Sequence, residues 1–269
     1  MIHMTLGTQD KDFFPKNIMD KFTFIKAMGF DCYEIDGKLL VENTNKIKEA
    51  IKKTGLKVSS ACGGYRGWIG DFIEERRLNA IQDISIILEK LNEVGATGIV
   101  IPAAWGMFTY RLPPMVSPRS KEGDQIALLD SLEKLDVIAC RYHEKIYLEP
   151  LNRYQDHMIN TLNDATTLIE IGRFTNVKIA GDFYHMSIEE DDLSESLYRY
   201  QKYLGHIHVA ENHRYQPGTG SVNFKRHFGT LQKIGYSGAV IIECRVRGNN
   251  PSEEYQKSEH YLRTCWEHA

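Results

Sequence analysis

Residues 145–182 read KIYLEPLNRYQDHMINTLNDATTLIEIGRFTNVKIAGD and contain the pattern that decides the fold. Two short and mainly apolar runs, Lys145–Glu149 and Val177–Asp182, each end in an acidic residue. Between them, Ala165–Phe174 carries apolar residues at helical spacing. Short apolar runs are typical of strands buried on both faces, and parallel strands need a crossover that is usually a helix. The stretch therefore predicts a strand–helix–strand unit.

The same alternation runs from one end of the chain to the other. Helical patterns also cover Phe72–Val94, Ile126–Tyr142 and Phe224–Ile234. Eight strand–helix units fit into 269 residues, and right-handed crossovers would close eight parallel strands into a barrel. The candidate strands are Ile2–Gly7, Cys32–Asp36, Lys57–Cys62, Gly98–Pro102, Lys145–Glu149, Val177–Asp182, Gly205–Val209 and Ala239–Glu243.

An open, doubly wound sheet is the competing fold. That fold binds its ligand through a GxGxxG turn after the first strand, and no such turn follows the first candidate strand here. No low-complexity linker divides the chain into parts. We therefore predict an α/β protein in which residues 1–269 form a single (β/α)₈ TIM-barrel domain.

The composition restricts the class of partner. Of the residues, 42% are hydrophobic and 26% are charged, as in globular proteins, and the formal net charge is only −3. This charge gives no general attraction for nucleic acid or acidic lipid, and no apolar stretch reaches the roughly 20 residues of a membrane span. The five cysteines form no CxxC pair, and the N-terminus has no signal-peptide pattern. We expect a soluble, cytoplasmic protein without nucleic-acid or membrane partners.

Four ionisable residues lie at or beside the ends of the last four candidate strands. They are Glu149, Asp182, His208 and Glu243. Barrel enzymes place their reactive groups at this end of the strands, so the four side chains should converge. Crowded carboxylates repel one another, and a divalent cation removes that conflict. The oxygen and nitrogen donors favour Mn²⁺, with Mg²⁺, Co²⁺ or Zn²⁺ as alternatives. A set of helix caps and salt bridges is the competing interpretation.

Residues two positions before these ends should face the barrel interior one layer deeper, because side chains alternate along a strand. They are Tyr147, Ala180, His206 and Ile241. Ala180 and Ile241 fit a packed layer. His206 is interpreted as a buried, hydrogen-bonded residue or one that supports the site, and not as a metal ligand.

Three local sequences resemble those of a known family. They are EPLNRY at 149–154, DFYH at 182–185, and HIH at 206–208 followed by Arg214. They look like motifs of the xylose isomerase-like barrel superfamily, and within it they most resemble the ketose 3-epimerases that act on D-tagatose or D-psicose. The resemblance covers roughly the second half of the chain, and the first half matches only in outline.

The resemblance implies specific roles for these residues. It implies that the metal ligands are Glu149, Asp182, His208 and Glu243. Glu149 and Glu243 would also serve as the two acid/base groups. His185 would contact hydroxyl groups of the substrate, and Arg214 would contact the sugar. The implied cofactor is one divalent metal ion.

Position 155 departs from the family pattern. The 3-epimerases carry a second glutamate six residues after the first, whereas this chain has Gln155. The family residue contacts substrate oxygens, and glutamine can donate a hydrogen bond where glutamate only accepts one. Substrate position or preference is therefore expected to differ.

Two loops after earlier strands should complete the substrate pocket. Trp105 follows the fourth candidate strand and would either pack on the apolar face of a sugar or simply cover the mouth of the barrel. Cys62 ends the third strand, and it is interpreted as a small apolar wall residue and not as a nucleophile.

The expected reaction is epimerisation by a metal-dependent ketose 3-epimerase. One carboxylate would remove a proton alpha to the carbonyl, the cation would stabilise the resulting enediolate, and the other carboxylate would return the proton on the opposite face. Return to a neighbouring carbon would give an aldose–ketose isomerase of the hydroxypyruvate type. Loss of water would give a dehydratase, and a sugar-binding barrel without catalysis is the least attractive alternative.

An abasic-site endonuclease is a more distant rival. Its trinuclear zinc cluster needs histidines after strands two to four, and this chain has no histidine between His3 and His143. The expected partner is a small sugar or sugar phosphate, and Gly218-Thr219-Gly220 is either a plain turn or a phosphate cradle. By resemblance, the protein would form a homodimer or homotetramer.

Overall fold

Eight parallel strands close into one barrel in sequential order, with β1 paired to both β2 and β8. The structure is a computed structural model, and it describes residues 3–111, 113 and 115–269. The strands are β1 Thr5–Thr8, β2 Cys32–Ile35, β3 Lys57–Cys62, β4 Gly98–Pro102, β5 Lys145–Glu149, β6 Val177–Asp182, β7 Leu204–Val209 and β8 Ala239–Ile242. The predicted (β/α)₈ TIM barrel is confirmed.

Helices surround the barrel and connect each strand to the next. In the part of the chain that the structure describes, they are α1 Ile18–Ala27, α2 Gly37–Thr54, α3 Glu74–Val94, α4 Lys121–Tyr142, α5 Leu162–Gly172, α6 Phe183–Glu189, α7 Leu193–Arg199, α8 Phe224–Lys233 and α9 Pro251–Glu267. Among these described helices, none is long and apolar enough to cross a membrane.

The helices pack on the barrel through one apolar side. In α3, Ile84, Ile87, Leu88 and Leu91 are fully or almost fully buried, and they recur at three- and four-residue steps. Burial of each such side chain contributes about 1.5–3 kcal/mol. All four residues of β2 are buried as well, because the strand faces both the helices and the interior of the barrel.

The first strand differs from its prediction. The apolar pattern suggested Ile2–Gly7, but β1 begins at Thr5 and includes Thr8, and Ile2 lies outside the described residues. The hydrogen-bonded ladder decides this boundary, because Thr5 pairs with Ala239 and Thr8 pairs with Ile242. A polar side chain can end a strand when its backbone has a partner.

Two close backbone approaches shape the loop after β3, which borders the mouth of the barrel. A Cβ added to Gly64 (φ +80°) would lie 2.2 Å from the backbone nitrogen of Lys38. A Cβ on Gly37 would lie 2.6 Å from the carbonyl oxygen of Gly63. Only glycine fits at such positions, so the loop is fixed against the start of α2.

Candidate active site

The four residues that end the last four strands meet at the mouth of the barrel. Glu149, Asp182 and His208 are the final or penultimate residues of β5, β6 and β7, and Glu243 directly follows β8. One ligand atom from each lies within 4.8 Å of the others. His208 Nδ1 is 2.9 Å from Glu149 Oε1, 2.7 Å from Glu243 Oε2 and 4.0 Å from Asp182 Oδ2.

Glu34 is a residue of this region that the sequence analysis missed. It lies on β2, is buried, and places Oε1 2.8 Å from His208 Nε2 and Oε2 2.8 Å from His206 Nε2. Gln9 and Ser60 also donate hydrogen bonds to its carboxylate. An acid inside an otherwise apolar strand was the available signal, because a buried charge needs partners.

This arrangement assigns the two ring nitrogens of His208. The Glu34 carboxylate can only accept, so Nε2 carries a proton, and Nδ1 faces the other three carboxylates. Burial opposes a charge on His208, but the carboxylates of Glu34, Glu243 and Glu149 raise its pKa well above the ordinary value. A cation at Nδ1 would replace that second proton.

Arg214 bridges two of the carboxylates. It donates from Nη1 to Asp182 Oδ2 at 2.5 Å and lies with Nη2 2.8 Å from Glu243 Oε2. Its guanidinium stacks over the ring of Tyr184 at 4.8 Å. Arg214 has a left-handed backbone (φ 64°), which costs a non-glycine residue about 1–2 kcal/mol. The strained turn aims its side chain at the site.

The pKa values of the two glutamates are shifted in opposite directions. Burial, followed by the charge of Glu243, raises the pKa of Glu149 to about 7. Burial would also raise the pKa of Glu243, but Arg214 and His208 hold it well below the ordinary value. Two carboxylates this close repel each other, so without a cation Glu243 is ionised more readily than Glu149.

The donor set fits a divalent ion. Glu243 Oε2 is buried and makes no hydrogen bond of acceptable geometry among the described residues, although two nitrogens lie within 2.8 Å. A buried acceptor without a hydrogen bond is costly, and a metal ion would satisfy it. Three carboxylates and one imidazole form the oxygen-rich set that Mn²⁺ or Mg²⁺ prefers.

His185 is held beside the four residues as a neutral donor. Asp182 caps α6 by accepting from the backbone N–H groups of Tyr184 and His185, and this places the His185 ring near the cluster. The Nδ1 atom of His185 accepts from the backbone N–H of Asn152 at 3.0 Å, so the proton lies on Nε2. Burial lowers the pKa of His185 to about 4.

A cavity of about 430 Å³ lies above the cluster, within the usual size range of small-molecule sites. Seven predicted site residues border it, with Asp182 and His208 buried beneath. The seven are Cys62, Trp105, Glu149, Gln155, His185, Arg214 and Glu243. Trp105 is exposed at 56% and joins Tyr65 and Trp68 on the side of β3 and β4.

The deeper layer is packed at Tyr147 and Ala180, as expected, whereas His206 lies with Glu34 and His208 in a second group whose ligand atoms are within 4.8 Å of one another. Tyr147 and Ala180 form a small buried cluster with Val100, against which Cys62 packs. The ring of His206 stacks on Tyr147 with centroids 5.0 Å apart. Burial raises the pKa of the Cys62 thiol well above its ordinary value, as expected for an apolar wall residue.

Gly218–Gly220 forms a turn around a carboxylate and not an open cradle. Glu211 accepts from the backbone N–H groups of Gly218 at 2.8 Å and Val222 at 3.0 Å. A Cβ on Gly220 would lie 2.5 Å from Glu211 Oε2. The space that a phosphate would need is therefore filled by Glu211, and the plain turn is the correct alternative.

This barrel, with its acidic cluster at the carboxyl ends of the strands, belongs to a recognised class. A sequence model of the xylose isomerase-like TIM barrel family matches residues 22–265, so the chain belongs to that family. It is 57% identical over 262 residues to the 3-dehydro-D-guloside 4-epimerase of Escherichia coli strain K12, which covers 97% of this chain and 100% of the relative.

Two further comparisons extend this result. The crystal structure of a 3-keto-D-glucoside 4-epimerase from E. coli has 57% sequence identity and a TM-score of 0.97, covering 98% of this chain and 100% of that one. The D-psicose 3-epimerase of Enterocloster bolteae is 26% identical over 234 residues, which is 85% of this chain and 76% of the relative. These relatives are epimerases, and the expectation that the chain is an isomerase is confirmed.

Proposed function

We propose that this enzyme inverts the carbon next to the keto group of a sugar, and that its substrate is a 3-keto-hexopyranoside inverted at C4. The observation that carries the proposal is the pair of carboxylates, Glu149 and Glu243, that border one pocket from β5 and from the end of β8. Inversion next to a carbonyl requires proton removal on one face and proton return on the other, and two carboxylates can divide these tasks.

Glu149, Asp182, His208 and Glu243 would hold one divalent ion, with Mn²⁺ as the first choice and Mg²⁺, Co²⁺ or Zn²⁺ as alternatives. When bound, the ion supplies electrostatic stabilisation of the negative charge that develops on the keto oxygen. The fit rests on the buried Glu243 Oε2 without a hydrogen bond and on His208 Nδ1, which faces the carboxylates of Glu149 and Glu243.

Glu149 and Glu243 would exchange the proton of the reacting carbon. Without the ion, burial and the charge of Glu243 raise the pKa of Glu149 to about 7, and a bound cation would lower it. Arg214 holds Glu243 ionised through the 2.8 Å contact of Nη2 with Oε2. In one direction of the reaction Glu243 would take the proton and Glu149 would return one, and in the other direction their tasks would exchange.

His185 and Arg214 would orient the substrate. The Nε2–H of His185 points away from Asn152 and is available to a hydroxyl or keto oxygen in the pocket. Arg214 also lines the cavity, and its remaining donors would contact the same group of oxygens. Two fixed donors in the same cavity as the two carboxylates would hold the substrate in one orientation.

The 57% identity with the 4-epimerase of E. coli supports the choice of a 3-keto glycoside. A ketose inverted at C3 is the second candidate, supported by the motif residues other than Gln155 and by the D-psicose 3-epimerase relative. The two reactions share their local chemistry, because the inverted carbon carries a hydroxyl group and lies next to the keto carbon in both.

The test is proton exchange in D₂O with Mn²⁺-loaded enzyme. We expect a 3-keto-glucoside to gain deuterium at C4 and to yield the C4 epimer. Both changes can be monitored by ¹H NMR. Exchange at C3 of free ketoses alone would favour the second candidate. Exchange at neighbouring carbons, loss of water, or nicking of abasic DNA would contradict both and would indicate an isomerase, a dehydratase or an endonuclease.

A further inference from the structure

Two basic residues border the pocket on the side opposite Trp105. Lys11 lies in the loop after β1, and Arg245 lies in the loop after β8. These loops are neighbours because β1 pairs directly with β8. The aromatic side of the pocket comes from the loops after β3 and β4, across the barrel. The cavity therefore has an aromatic wall and a basic wall, with the four acidic and imidazole groups between them.

Neither basic side chain has an acidic partner. Among the residues that the structure describes, no carboxylate forms an ion pair with Lys11 or Arg245. Asp10, which lines the same pocket, bonds to Lys21 instead. Glu243 lies against His208 and Arg214. Neither positive charge at this wall therefore has a carboxylate within ion-pair distance among the described residues.

Lys11 is partly buried and lies beside an aromatic ring. Its ammonium lies 5.4 Å from the centre of the Tyr255 ring, and burial lowers its pKa. A cation held in such a place without an anion is costly, and a ligand that supplies a negative charge recovers that cost. The guanidinium of Arg245 is exposed at the rim and has a planar set of donors that matches a carboxylate or a phosphate.

The rest of the pocket offers no comparable anion site. The glycine turn at 218–220 is filled by Glu211. Arg214 is already bonded to Asp182 and lies against Glu243, so its charge is compensated. Lys11 and Arg245 are therefore the positively charged residues of the pocket that are available to bind an anion.

We propose that Lys11 and Arg245 form a subsite for an anionic group of the substrate, a carboxylate or a phosphate remote from the inverted carbon. This subsite deepens the proposed function and rests on it. The anion would come either from the aglycone of the 3-keto glycoside or from a phosphate at C6. In both cases the charge selects the substrate and takes no part in the proton transfer.

The kinetic test compares matched pairs of substrates. One pair is the 4-carboxyphenyl and the 4-hydroxymethylphenyl 3-keto-glucosides, and the other is methyl 3-keto-glucoside with and without a 6-phosphate. We expect the wild type to prefer the charged member of at least one pair by tenfold or more in KM, with kcat little affected. The pair that shows the preference identifies the source of the anion.

The variants Lys11→Met and Arg245→Met should each reduce this preference by at least threefold, and the double variant should abolish it. Lys16→Met and Arg76→Met remove exposed charges elsewhere and should keep the wild-type preference. Higher NaCl should reduce the wild-type preference as well, since salt screens the exposed rim. Thermal melts of every variant show whether it is folded.

Three results would overturn the proposal. They are equal KM values within both pairs for the wild type, a preference that survives in the double variant, and equal losses for charged and neutral substrates in Lys11→Met. Calorimetry with unreactive 4-carboxyphenyl and 4-hydroxymethylphenyl glucosides, on chelator-treated protein, tests the subsite without turnover. If no 3-keto glycoside exchanges its C4 proton but the charged glucoside binds through Lys11, the proposed reaction fails and the subsite stands.

Discussion

His208 lies with Nε2 2.8 Å from Oε1 of Glu34, and this contact decides which side of the ring faces the pocket. The Glu34 carboxylate accepts a hydrogen bond from Nε2–H, so Nδ1 faces Glu149, Asp182 and Glu243, where it carries either a second proton or a cation that replaces it. A carboxylate that orients a metal-binding imidazole from behind also raises the basicity of the ligand. At the proposed metal site, Glu34 would be a positioning residue.

Glu34→Gln should weaken Mn²⁺ binding by roughly 10- to 100-fold, the usual effect of removing such an orienting group. The glutamine amide can accept from only one of the two histidines that Glu34 now contacts. Calorimetric titration with Mn²⁺ measures the change. Glu259→Gln, which alters a buried carboxylate paired with Arg263, is the matched control and should bind Mn²⁺ normally. Equal affinities in both variants would contradict the positioning role.

Glu149→Gln and Glu243→Gln should each lower the rate of epimerisation by roughly 10³-fold or more, because each removes one acid/base group. In D₂O, the remaining carboxylate still exchanges the proton on its own face. We therefore expect each variant to exchange only one of the two C4 epimers, and the two variants to differ in which one. The exposed Glu133→Gln is the control. Exchange of both epimers by either variant would exclude the two-carboxylate scheme.

Removal of the bound metal ion by a chelator should lower the stability of the protein, and added Mn²⁺ should restore that stability. At about 100 times the dissociation constant, a bound ion contributes about 2.7 kcal/mol, which for a chain of this size corresponds to a rise in Tm of roughly 5–10 °C. In Asp182→Asn, the amide oxygen can still cap α6, so the fold is retained while one ligand charge is lost. Differential scanning calorimetry should find a smaller Mn²⁺ effect in this variant, and an unchanged effect would speak against Asp182 as a ligand.

Gln155→Glu should change the substrate preference of the enzyme. Gln155 borders the cavity beside Trp105, and its backbone carbonyl accepts from Gly106 at 2.8 Å. A carboxylate there accepts hydrogen bonds but no longer donates one. We expect kcat/KM for the 3-keto glycoside to fall by roughly tenfold, about 1.4 kcal/mol for a lost donor, while exchange at C3 of D-psicose rises. Gln155→Met removes both the donor and the acceptor at this position. This variant should therefore not increase the exchange at C3 of D-psicose.

Glu144 should make stability depend on pH. It lies buried before β5, its Oε2 has no hydrogen bond among the described residues, and burial raises its pKa to about 8 from an ordinary 4.5. The folded state then retains a proton that the unfolded state loses, so this group lowers stability as the pH rises from about 4.5 to about 8. Urea unfolding should show Glu144→Gln gaining about 1–3 kcal/mol over the wild type between pH 5 and pH 8.5. A constant difference across this range would contradict the assignment.

The sequence was sufficient for the fold and for the convergence of the four candidate metal ligands. In a closed parallel barrel, every strand ends on the same side, so Glu149, Asp182, His208 and Glu243 had to converge once their strands were identified. Glu34 was missed because a single acid within β2 does not indicate which partners face it across the barrel. Lys11 and Arg245 were missed because both lie in loops, where sequence spacing gives no direction for a side chain.

The sequence by itself determined the alternation of strands and helices, and the chemical types that gather at one end of the barrel. The reason is local, because apolar periodicity and strand ends are properties of neighbouring residues. Only the tertiary structure decided which charges have partners. Glu34 faces His208 over a separation of 174 positions, and Asp10 bonds to Lys21 and leaves Lys11 unpaired. Such pairings depend on distances through space, which the closed barrel sets and the order of residues does not.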